Sequence, residues 1–106
     1  MTNVPAALRP LQQQFVAARN ERIAEIRRLA EQALTDTTAL DQLRMAFHKL
    51  AGSAGLLGFP KSGVIARETE HLISDSHQIP PKLSEAIDQF TQMIEEEVSA
   101  LDQQLS

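Results

Sequence analysis

The chain has 106 residues, enough for one domain with a single core, and no cysteine, which excludes disulfide frames and thiolate metal sites and fits a reducing cytoplasm. A formal net charge of −4 argues against a binder of phosphate backbones, and four Phe without Trp or Tyr leave no stacking platform for bases. No apolar run approaches the roughly 20 residues of a membrane span, and no signal-peptide pattern follows Met1, so a soluble cytoplasmic protein without nucleic-acid or membrane partners is expected.

Every long segment has a helical pattern, and none alternates with the period of two that marks a strand. The first helix is expected from about Ala6 to Ala33, with Leu8, Leu11, Phe15, Ile26, Leu29 and Ala33 along one face. Pro10 marks a break or a late start, and Asn20 is a point at which this segment divides in two. Thr35, Asp36, Thr37 and Thr38 form a capping cluster. A second helix follows, carrying Leu40, Leu43, Phe47, Leu50, Ala54 and Leu57 in steps of three and four. It stops at Gly58-Phe59-Pro60, because Gly58 can take a positive φ and the residue before proline is pushed out of the α region. Pro60 suits the first turn of a third helix running to about Asp75, and residues 74–81 read as a loop. The fourth helix has Leu83, Ile87, Phe90, Ile94, Val98, Leu101 and Leu105 on one face.

Residues 1–34 hold five Arg and three Glu, while residues 80–106 hold one Lys and six acids, which reads as two solvated helix faces of opposite sign, neighbours in the fold. The expected architecture is all-α: an antiparallel, up-down-up-down four-helix bundle, with helix 1 whole or divided into two segments. One domain spans 1–106, either free-standing or part of a longer signalling protein, and a monomer is expected.

On a helical wheel the apolar stripe of the second helix centres on Leu43, Leu50 and Ala54, and His48 lies roughly 140° from that centre, directed outward. Its strip neighbours are Asp41, Arg44, Gly52 and Gly55. Each glycine on an exposed helix face costs about 1 kcal/mol relative to alanine, so helix stability does not recommend them. They clear the surface beside an imidazole for an approaching protein. If the turn centres on Phe59, an antiparallel hairpin puts Glu70 level with His48, Ala66 with Gly52, Gly63 with Gly55, and Arg67 with Ala51. A carboxylate level with the imidazole can accept its Nδ1–H bond and leave Nε2 free and nucleophilic.

The run from His48 to Phe59 (HKLAGSAGLLGF), followed by Ala66 and Glu70, resembles the signature of histidine-phosphotransfer domains over about 23 contiguous positions. The resemblance implies a four-helix bundle with an exposed phosphoacceptor histidine in a bacterial-type two-component phosphorelay. It implies His48 as phosphoacceptor and Glu70 as the group that orients the imidazole. The chain would take a phosphoryl group from a receiver-domain aspartate and pass it to another response-regulator receiver, or be charged by a sensor histidine kinase. It would be a phosphocarrier without kinase activity of its own, with no cofactor or metal in this chain and Mg2+ held by the partner receiver. One departure is Ala51, where many family members have lysine. Arg44, one turn back on the strip, or Arg67, level with Ala51, would then steady the phosphoryl charge. Lys49 lies about 100° around the helix and reads as an ordinary solvated charge as readily as a functional one.

Other features read plainly. His71 and His77 are surface residues, Phe59 is a core plug at the turn, and Glu95-Glu96-Glu97 is a solvated stretch in which Glu97 lies unexplained near the apolar stripe. Glu68-Thr69-Glu70-His71 is a single Glu-x-x-His element, where metal-binding bundles need two. The alternative function is a helical interaction module that docks a signalling partner without phosphotransfer.

Overall fold

Asp36 supplies the cap from which the central helix starts: its Oδ1 accepts from the Thr38 backbone N–H at 2.9 Å. The computed structural model describes residues 4–76 and 78–105. Four helices fill it: α1 (Arg9–Gln32), α2 (Thr37–Leu56), α3 (Pro60–Ser76) and α4 (Leu83–Leu105), with a 3₁₀ turn at Ala6–Leu8 ahead of α1. Consecutive helices pack together and α1 closes against α4, whereas the backbones of the diagonal pairs, α1 with α3 and α2 with α4, stay apart. That is the up-down-up-down antiparallel bundle the periodicities predict. Its extents are 45 × 19 × 19 Å, so the core is a column one helix long.

The column is built from the predicted stripes. On α2, Leu40, Leu43, Phe47, Leu50 and Ala54 are buried, and so is Leu57 at its cap. On α4, Leu83, Ile87, Phe90, Ile94 and Val98 are buried, and Phe90 meets Phe47 edge to face across the core at 5.8 Å. Gly58 turns the chain at φ 96°, and Phe59 plugs the bundle end, stacked on Phe15 at 5.6 Å. The opposite charges of α1 and α4 do meet, through Arg19–Glu95 at 2.6 Å and Arg27–Asp88 at 3.0 Å.

Two expectations are narrowed to one of their alternatives, and two change. Asn20 does not divide the first helix; α1 is continuous, since an exposed Asn costs less than the packing on either side of it supplies. Pro10 marks the late start rather than a break: α1 begins at Arg9, and the proline falls in its first turn, where its missing N–H breaks no bond. Leu11 is exposed, and Gln12 takes the inward place, its Nε2 donating to the Leu57 carbonyl at 2.9 Å. The chain stays helical through Ser76 rather than looping from Ser74, whose hydroxyl donates to the Glu70 carbonyl at 3.0 Å within the helix.

Glu97 also finds its explanation. It reaches from α4 to the open N-terminus of α3, where Oε1 accepts from the Ser62 N–H at 2.7 Å and hydroxyl at 2.6 Å, and Oε2 accepts from the Lys61 N–H at 3.3 Å. A carboxylate there satisfies orphan donors and complements the helix dipole.

Candidate functional site

The site lies on the seam between α2 and α3. Small residues let these helices approach: a β-carbon at Gly63 would lie 3.2 Å from both the Ala51 carbonyl oxygen and the Gly55 nitrogen. Gly63 therefore faces Gly55, the register expected from a turn at Phe59. Ala51 and Ala66 are buried in the hairpin.

Further along that register His48 and Glu70 meet, with Nδ1 and Oε2 at 2.9 Å. The imidazole is 62 % exposed and the carboxylate 14 %. An ionised carboxylate can only accept, so Glu70 takes its bond from Nδ1–H and Nε2 is the ring nitrogen that Glu70 does not engage. The pair thus combines a largely exposed imidazole with a partly sheltered carboxylate that can fix the ring and its tautomer.

The strip around His48 is bare. Gly52 and Gly55 are exposed, and a β-carbon on either would meet nothing within 4 Å. Met45 and Leu56, both exposed, flank the strip on the side of α2 away from α3. Arg44 is half-buried, its Nε and Nη2 donating to Asp41 Oδ1 at 3.2 and 3.0 Å. Lys49, Arg67 and His71 are exposed. His77 lies outside the described residues. Among the described residues no group of three or more His, Asp or Glu could hold a metal ion, and no helix is long and apolar enough to cross a membrane. Far from the seam, hydrogen bonding to the Arg28 guanidinium holds the exposed Glu25 carboxyl below its ordinary value.

The central hairpin of the bundle thus presents a carboxylate-braced histidine on a bare surface. The family model described as Hpt domain matches residues 10–105, nearly the whole chain. The chain belongs to the Hpt domain family, whose members are phosphocarriers in two-component phosphorelays and interact there with receiver and kinase domains. Searches of curated proteins and of solved structures return no significant match.

Proposed function

We propose that this chain is charged on His48 Nε2 by an aspartyl phosphate of one receiver domain and discharges to the aspartate of another. The observation that carries the reading is the His48–Glu70 pair, an imidazole largely exposed and braced at Nδ1. In the charging step the Nε2 lone pair attacks phosphorus in line. The N–P bond forms as the acyl-phosphate P–O bond breaks, and the receiver's carboxylate leaves with that electron pair. Positive charge grows on the ring while Nδ1 keeps its proton, and Glu70 stabilises it there. Mg2+ and the remaining catalytic groups belong to the receiver. Discharge runs the same step backwards.

Docking explains the bare strip. The receiver must bring its phosphoryl group to Nε2, and Gly52 and Gly55 leave the room while Met45 and Leu56 offer apolar contact beside it. Arg44 or Arg67 steadies the phosphoryl charge in this reading, and Lys49 serves as readily as an ordinary solvated charge. The chain acts as a cytoplasmic, monomeric carrier without kinase activity.

The test is incubation with phosphorylated receiver domains. An acid-labile, base-stable phosphate on the chain, missing from His48→Gln, is expected. Glu70→Ala should slow transfer with an unfolding midpoint close to the parent's, and Glu70→Gln should fall between. No label from any receiver of the source organism would leave the docking module without phosphotransfer as the better reading.

A further inference from the structure

We infer that Asp41 is a displaceable counter-ion of the site: it holds the Arg44 guanidinium on the α2–α3 seam while His48 is free, and yields it to the phosphoryl group once His48 is charged. This rests on His48 being the phosphoacceptor and names a positioning residue for that reaction.

The hairpin register places Arg44 level with Ser74, one helical turn along the seam from the His48–Glu70 pair. A shallow groove there is lined by Thr37, Leu40, Asp41, Arg44, Ile73 and Ser74. Helical side chains lean toward the N-terminus, so the His48 ring tilts over the turn that carries Arg44. Arg67 stands on the other side, at the level of Ala51, and Lys49 points about 100° around the helix. Arg44 is thus the cation on the side toward which the ring leans. Of the other charged or titratable groups near the pair, Glu70 of α3 meets Nδ1, Arg67 and His71 of α3 are exposed, and Lys49 of α2 is exposed on another face.

The grip of Asp41 is of a kind that exchanges readily. Both guanidinium bonds go to one oxygen, Oδ1, rather than to two in a fork, and the Asp41 side chain is 68 % exposed. Exposed pairs of this spacing are weak. A phosphoryl group brings between one and a half and two negative charges, roughly, and three acceptor oxygens that match the fork. Arg44 needs only a side-chain rotation to change partners. Until then Asp41 keeps it paired one helical turn from His48.

Charging with phosphoramidate separates this inference from the docking of any partner. Its nitrogen leaves as ammonia with the P–N bond pair while His48 Nε2 forms the new N–P bond. The Arg44 Nε–H resonance should move when His48 is charged. Arg44→Gln should raise the midpoint of the phosphoryl group's last ionisation, followed by 31P NMR, by roughly half a unit. Arg44→Lys should recover part of that shift, and Asp41→Asn should move the midpoint down. Arg67→Gln and Lys49→Gln should move it less than half as far as Arg44→Gln. Circular dichroism checks that each variant keeps its helices. If His48 becomes charged but the Arg44 resonance and the midpoint in Arg44→Gln stay put, the counter-ion exchange is wrong and phosphotransfer stands. If neither phosphoramidate nor a phosphorylated receiver charges His48, both fall.

Discussion

Glycines at 52, 55 and 63 look alike in sequence, yet the hairpin assigns them opposite work. At 52 and 55 a β-carbon would meet nothing, so alanine gains helix propensity without a clash; at 63 it would press on the α2 backbone at 3.2 Å. Gly52→Ala and Gly55→Ala should therefore each stabilise the fold by about 0.5–1 kcal/mol in urea unfolding. The same variants should slow transfer from a phosphorylated receiver while leaving chemical charging by phosphoramidate unchanged, because only the receiver needs the cleared strip. Unchanged receiver transfer would remove the docking argument for these glycines. Gly63→Ala should go the other way. Overpacking against rigid backbone costs about 1–3 kcal/mol, which outweighs the propensity gain, so a net loss of roughly 1 kcal/mol is expected. A Gly63→Ala protein as stable as the parent would mean that the two helices part without strain. The pairing of 48 with 70 and of 55 with 63 is legible in the sequence, because a tight turn fixes the register of both arms. The Arg44–Asp41 contact is not, since a long side chain on a strip has several reachable partners and wheel geometry does not choose among them.

Helix ends differ in how far away their partners lie. The cap at Asp36 and the turn at Gly58 use residues adjacent in the chain, and both are legible from local pattern. Gln12 and Glu97 satisfy helix ends from 45 and 35 residues away, and no local pattern announces them. An amide on an apolar stripe and an acid near another look like errors until the bundle closes. They also tie the bundle end that positions the hairpin: Gln12 holds the C-terminus of α2 and Glu97 the N-terminus of α3. Glu97→Ala would leave the buried Ser62 hydroxyl and two backbone N–H groups without this acceptor. Charge-assisted bonds of this kind support an expected loss of roughly 2 kcal/mol, read as a lower urea midpoint with an unchanged slope. Glu97→Gln, which keeps an acceptor oxygen but not the charge, should recover part of it. A loss under about 0.5 kcal/mol for Glu97→Ala would mean that water replaces the carboxylate at that helix end.

Across the whole bundle, cohesion is uneven. α2 buries seven side chains in 20 residues, whereas α1 buries four in 24, one of them Gln12. The α1–α4 seam is held by Arg19–Glu95 and Arg27–Asp88, pairs with solvent-exposed partners that contribute at most about 1 kcal/mol each and weaken in salt. The α2–α3 hairpin, by contrast, joins at close backbone approach and through the buried Ala51, Ala54 and Ala66. Native-state hydrogen exchange should therefore divide the molecule. Amides of residues 43–54 and 62–73 should exchange only by global unfolding, while those of residues 9–24 should exchange through a smaller opening that salt makes easier. Equal protection in α1 and α2, insensitive to salt, would show a uniformly cooperative bundle and refute the division. The division bears on function because the His48–Glu70 bond lies wholly within the hairpin. Opening of the α1 N-terminal half releases the Gln12 tie but leaves both partners paired within the hairpin, so transfer from a receiver should persist under conditions where those α1 amides already exchange. It should fail only as the hairpin amides lose protection, and measuring both against urea in one titration would show whether the two losses coincide.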